Sequence, residues 1–177
     1  MDAIIVVDMQ VGLLGGPSKL DLPGVVNRIN TLTARVRAGG GAVIFVQHSG
    51  RPGEDFAPGM PGWALLPELS RDPADLIVAK TLNDPFARTE LDAILRRIAP
   101  DRVLITGWAT DFCVDSTVRS AVSHGYAVVA VADAHTLNDR PDLDAARVIR
   151  HHNWLWSELI TDRSIRVVST AELLAEA

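Results

Sequence analysis

The sequence predicts an α/β fold, a single-domain doubly wound α/β/α sandwich on a mostly parallel six-stranded sheet. Short β-branched runs alternate with longer helical patterns along the whole chain. All but the last of those runs are nearly all apolar, as strands must be when helices cover both faces of a sheet. The 177 residues suit one domain able to bury a core without disulfides or metal, and neither an internal repeat nor a change of composition divides them.

Taken in order, the first strand is Ala3 to Asp8, followed by a helix from Leu22 to Ala38 that Gly39-Gly40-Gly41 closes. The second strand is Ala42 to His48 and the third Leu76 to Lys80; a helix from Arg88 to Ile98 then stops before Pro100. Arg102 to Thr106 forms the fourth strand, and Phe112 to His124 the helix after it, ended by Gly125. A fifth strand, Ala127 to Asp133, a helix over Pro141 to Ile160, a sixth strand, Ile165 to Ser169, and a short helix, Thr170 to Ala175, complete the chain. One stretch breaks this rhythm. Residues 49–75 are rich in proline and glycine, and loops of that length in compact domains commonly serve as lids or binding loops; Phe56, Met60 and Trp63 give this one apolar tips.

Charge and composition narrow the function. Seventeen lysines and arginines against 22 aspartates and glutamates give a net charge of −5, with the basic residues scattered singly, so neither nucleic acid nor an anionic membrane is an expected partner. Met1-Asp2-Ala3-Ile4 has no basic leader, and no apolar run reaches the length of a membrane span, which predicts a cytoplasmic protein. The single cysteine agrees with a reducing compartment.

In an open parallel sheet, ligands bind beyond the carboxyl ends of the strands. Four strands deliver polar or reactive groups to that edge: Asp8, Gln47-His48, Lys80, and Thr106-Gly107 leading to Cys113. A charge directly after a buried run must pair or face a cleft, so Asp8 and Lys80 are expected to meet. With Asp111 as N-cap, Cys113 would stand in the first helical turn, where the helix dipole and Lys80 favour thiolate. The alternative for Cys113 is a small apolar residue packed under the sheet. Together the three groups suit acyl transfer: the thiol attacks, Asp8 moves the proton, and backbone N–H groups between Trp108 and Cys113 receive the oxyanion.

Asp8-Met9-Gln10, Lys80 followed by Phe86 and Thr89-x-Leu91, Gly107-x-Ala109-Thr110-Asp111-x-Cys113-Val114-x-x-Thr117-x-Arg119, then Gly125-Tyr126 and Asp133-Ala134 resemble the isochorismatase-like cysteine hydrolase superfamily. The resemblance implies a catalytic triad of Asp8, Lys80 and Cys113, a cis peptide joining Trp108 to Ala109, and an oxyanion hole made by the amides of Ala109 and Cys113. It implies cleavage of an amide or lactam C–N bond through a thioester on Cys113. The alternatives are an ester or vinyl-ether hydrolase of the same superfamily and a catalytically silent ligand-binding member. Gln47-His48 stands where nicotinamidases of the superfamily hold a denser ligand set, so neither metal nor other cofactor is expected, and the metal-free, streptothricin-hydrolase-like members are the nearest match. The expected substrate-binding residues are Gln10, Leu14, His48, Phe56, Trp63, Trp108 and Phe112. Members of the superfamily are commonly oligomeric, and Trp154, off the apolar face of its helix, is a candidate contact with a partner subunit. His152 falls on that apolar face and reads as a core residue; His135 and Asn138 either rim the pocket or close a turn.

Overall fold

Six strands hydrogen-bond in the order β3-β2-β1-β4-β5-β6, and every pairing is parallel. The computed structural model describes residues 1–176: β1 (Asp2–Val7), α1 (Val11–Leu14), α2 (Leu22–Ala38), β2 (Ala42–His48), β3 (Leu76–Lys80), α3 (Leu91–Ile98), β4 (Arg102–Trp108), α4 (Asp115–Ser123), β5 (Val128–Thr136), α5 (Ala145–Ser157), β6 (Ile165–Val168) and α6 (Thr170–Ala175). A 3-10 turn covers Pro61–Trp63, and a π-helical turn, Thr110–Val114, leads into α4. Among the described residues, no helix is long and apolar enough to cross a membrane.

The alternation of side chains along β1 builds both cores. Ile4 and Val6 point into a cluster with Val25, Ile29 and Leu32 of α2 and Leu173 of α6. Ala3, Ile5 and Val7 point the other way, towards Leu91 and Leu95 of α3, Val118 of α4 and Trp156 of α5. The chain lays down β1, β2 and β3 in one direction, then returns to place β4 on the other side of β1. The order therefore reverses between β1 and β4, and the crevice beyond their carboxyl ends is where such a sheet takes a ligand.

Several boundaries differ from the expected ones for identifiable reasons. The fifth strand continues to Thr136 instead of stopping at Asp133: a register shift between Ile105 and Gly107 lets His135 pair with Gly107 and Thr136 with Trp108. The third helix starts at Leu91, not Arg88, because Arg88 has φ 59°, outside the right-handed helical region. The fifth starts at Ala145, where the Asp144 side chain caps the Arg147 amide at 2.8 Å, so Pro141 lies before it. It ends at Ser157, short of Ile160.

Gly107 decides how closely β1 and β4 approach. Its φ is +119°, and a Cβ built there would lie 2.2 Å from the Val7 carbonyl oxygen and 2.6 Å from the Val7 nitrogen. Both obstacles are backbone, so no rotamer change relieves them. Gly107→Ala is expected to cost about 3 kcal/mol, from the forced conformation together with overpacking, which lowers Tm by roughly 6–12 °C. Thermal unfolding followed by circular dichroism measures this, and an unchanged Tm would contradict the close approach.

Candidate active site

Asp8 is the first residue past β1, and it turns sharply out of the sheet: its φ is +51°, a left-handed conformation that aspartate tolerates better than most residues. Two backbone bonds hold the turn, Asp8 N–H to Val46 O and Gln10 N–H to Asp8 O, each 2.9 Å. Lys80 closes β3, in register with His48 of the intervening β2. Its ammonium passes the end of β2 to lie 2.7 Å from Asp8 Oδ2 and 3.3 Å from Cys113 Sγ. Cys113 is carried by the π-helical turn, in which the Phe112 and Val114 amides donate to the Ala109 carbonyl. The peptide bond between Trp108 and Ala109 is cis. Asp8, Lys80 and Cys113 are 1%, 2% and 7% exposed, so the three reactive groups meet almost without solvent.

That burial sets their protonation. The Cys113 thiol is pushed up to about 12, first by loss of solvent and then by the negative charge of Asp8, with Lys80 opposing both. At neutral pH the resting residue is a thiol. The expected thiolate is therefore corrected: the α-helix begins only at Asp115, after the π-helical turn, and the lysine's attraction is outweighed by burial. The expected N-cap role of Asp111 is corrected as well. Its carboxylate makes a two-pronged pair with Arg140, both contacts 2.7 Å, and Arg140 lies 5.3 Å over the Phe112 ring. Asp8 is held above the ordinary carboxylate range by burial, against the pull of Lys80. Its Oδ1 is buried and accepts no hydrogen bond among the described residues.

The other expected site residues divide into two groups. Gln10 is wholly committed to backbone: Nε2 donates to the carbonyls of His48 at 3.0 Å and Trp63 at 2.9 Å, and Oε1 accepts the His48 amide at 2.7 Å. Gln47 donates to the same Trp63 carbonyl at 2.9 Å, and Leu14 is packed in the core on the α2 face. His48, Phe56, Trp63, Trp108 and Phe112 keep part of their surface open. The buried ring nitrogens His48 Nδ1, Trp63 Nε1 and Trp108 Nε1 have no partner among the described residues. Burial and the nearby Lys80 hold His48 below the usual imidazole range. A cleft of about 660 Å³ opens from His48 between Arg51, Glu54, Phe56 and Thr81.

His135 is buried, bonded to Thr110 Oγ1 at 2.9 Å and Asn153 Oδ1 at 3.0 Å, and burial lowers it to about 4; it braces the turn that carries Cys113 from the core. Asn138 bonds within its own loop, to Asp139 and Arg140. His152 is bonded to the Val148 carbonyl at 2.8 Å and faces Trp156, while Trp154 is 60% exposed. Among the described residues, no three His, Cys, Asp or Glu side chains are grouped to hold a metal. Sequence reasoning missed Asn83, whose Oδ1 lies 3.9 Å from Cys113 Sγ. No sequence pattern marks it, since an exposed asparagine in a loop is ordinary turn composition.

Comparisons with known proteins converge on one family. The isochorismatase domain model matches residues 2–154. A streptothricin hydrolase of Streptomyces noursei is 34% identical over 142 residues, covering 80% of this chain and 51% of that protein. A ureidoacrylate amidohydrolase of Pseudomonas syringae pv. syringae is 31% identical, covering 75% of this chain and 69% of the relative. The chain thus spans about half the length of the streptothricin hydrolases it matches. A cysteine hydrolase structure from Pseudomonas syringae pv. phaseolicola superposes with TM-score 0.88 at 28% identity, over 98% of this chain and 90% of the other.

The protonation argument generates a labelling test. Iodoacetamide at neutral pH is expected to alkylate wild-type Cys113 at least tenfold more slowly than a free thiol. Asp8→Asn removes the anion that disfavours thiolate and leaves Lys80 beside the sulfur, so labelling should accelerate in that variant. Wild-type labelling at the free-thiol rate, or a slower Asp8→Asn variant, would contradict the assignment.

Proposed function

The chain belongs to the isochorismatase family, and from that premise we propose that it is a cysteine hydrolase cleaving the C–N bond of a small amide or lactam through a thioester on Cys113. The observation that carries the reading is the buried contact of a carboxylate, an ammonium and a thiol at the sheet's switch point. The names of the streptothricin hydrolase and the ureidoacrylate amidohydrolase support C–N cleavage over ether or ester cleavage.

In this reading, Sγ attacks the substrate carbonyl carbon as its proton passes to Asp8, so thiolate never accumulates free. Lys80 balances Asp8 before the transfer and the sulfur during it. The carbonyl oxygen, now an oxyanion, is held by the N–H groups of Ala109 and Cys113. Collapse of the tetrahedral adduct breaks the C–N bond while Asp8 returns the proton to the departing nitrogen, leaving the acyl group on Sγ. Water then attacks the thioester and gives a proton to Asp8. Expulsion of Sγ releases the carboxylic acid, and Asp8 restores the thiol.

His48, Phe56, Trp63, Trp108 and Phe112 wall the substrate pocket, with Gln10 and Leu14 supporting it from beneath. Residues 49–75 act as its cover. The half near Leu65 is pinned by an antiparallel bridge to Gln10 and by Leu66 N–H to Met9 O, which leaves residues 50–60 to close over bound substrate. The working unit is a homo-oligomer with Trp154 at its interface, and the reaction requires no metal.

Three outcomes follow from this mechanism. Cys113→Ala should fold normally and lose roughly 10⁴-fold or more in kcat on a panel of primary amides, lactams and esters; near-full turnover would exclude the covalent route. Asp8 must be ionised to take the thiol proton, and burial raises its pKa. Hence kcat/KM should fall with decreasing pH through a limb lying above the ordinary aspartate value of about 3.9. An acid limb at or below that value would contradict the role given to Asp8. Dialysis against a strong chelator should leave activity unchanged, whereas loss restored by zinc or iron would overturn the metal-free mechanism.

A further inference from the structure

We propose that Asn83 reads the leaving nitrogen of the substrate and restricts the enzyme to amides whose nitrogen carries at least one hydrogen. The inference rests on the thioester reading of Cys113 and adds to it a determinant on the leaving-group side. Asn83 stands on the loop that follows β3, with Oδ1 3.9 Å from Sγ. Its carboxamide makes no other hydrogen bond among the described residues, and the side chain is exposed, so it is free to meet a ligand arriving at the sulfur.

The loop holds it in place from both sides. On one side Lys80 is buried at the end of β3. On the other, Asp84 accepts the Phe86 amide at 2.8 Å through Oδ1 and the Ser120 hydroxyl of α4 at 3.0 Å through Oδ2, tying this loop to the helix that continues from Cys113. Phe86 is buried and stacks on His124 with ring centroids 4.7 Å apart. The backbone that carries Asn83 is therefore fixed, which keeps its carboxamide within reach of Sγ.

The chemistry identifies what it would accept. Lys80 offers the sulfur only N–H donors, and Asp8 is occupied with the proton in transit. When Sγ adds to an amide, the nitrogen becomes pyramidal and must turn its lone pair towards protonated Asp8, which directs its N–H elsewhere. Asn83 Oδ1 is the uncharged acceptor beside Sγ that can take that N–H and fix the lone pair for protonation. An ester oxygen has no N–H and would set lone pair against lone pair, and a fully substituted amide nitrogen presents carbon to the same oxygen. A hydrogen bond made to a group that gains charge in the transition state discriminates by roughly 10–100-fold.

The test uses one small acyl group presented as primary amide, N-methyl amide, N,N-dimethyl amide and methyl ester, with wild type, Asn83→Ala and the similar-sized Asn83→Leu. Wild type should cleave the first two amides and discriminate against the third. Both variants should lose roughly 10–100-fold in kcat/KM on the N–H amides while ester cleavage changes less than threefold, so that the amide-to-ester ratio collapses. An equal loss on amides and ester, an unchanged ratio, or wild-type cleavage of the N,N-dimethyl amide at the rate of the primary amide would overturn the role of Asn83. Turnover by Cys113→Ala would instead overturn the thioester reading, which separates the two failures.

Discussion

An aspartate and a lysine 2.7 Å apart, with a thiol 3.3 Å from the lysine and almost no solvent around the three, set the constraint on which this structure turns. Burying two charges is expensive, and leaving either alone would cost about 3–5 kcal/mol, so each needs the other in place. The fold meets that need through its strand order. Asp8 leaves β1 at the switch point, Cys113 follows β4 on one side, and Lys80 reaches across from β3 on the other. Close approach of β1 and β4 at Gly107, and the left-handed turn at Asp8, bring the ends of separate strands to within hydrogen-bond distance. The two apolar layers then hold the strands rigidly enough for the contact to persist.

The same burial governs reactivity. A cysteine at the start of an α-helix and beside a cation is ordinarily acidified. Here desolvation outweighs the cation, and Asp8 adds to the effect of desolvation. The sulfur is thereby held towards its protonated form, with the Lys80 ammonium between it and the Asp8 carboxylate. The three side chains are in mutual reach, so substitution of one changes the surroundings of the others and their mutational effects are not additive.

Much of this was legible in the sequence because burial writes itself plainly. Apolar β-branched runs marked the strands of a two-sided sheet, and Asp8, Lys80 and Cys113 stood out as reactive groups at the ends of such runs. What escaped depends on contacts between distant segments. The continuation of β5 to Thr136 requires a register shift against β4, which no local pattern records. Asp111 has the composition of an N-cap, yet it pairs with Arg140, 29 residues away, and the turn it occupies is π-helical. Gln10 looked like a polar pocket group, but its three hydrogen bonds go to the backbone of His48 and Trp63, so it shapes the pocket by holding two loops. Asn83 likewise owes its place beside Cys113 to the folding of the loop after β3 against a segment 30 residues on.

The covalent role of Cys113 is tested most directly by trapping its acyl form. Enzyme turning over a slow amide or ester substrate would be quenched in acid, digested, and the peptide containing Cys113 weighed by mass spectrometry. The account predicts a mass increase equal to the acyl group less one hydrogen, confined to that peptide and discharged by hydroxylamine at neutral pH. Steady product formation with Cys113 unmodified at every quench time, under conditions where deacylation is rate-limiting for the ester, would contradict it.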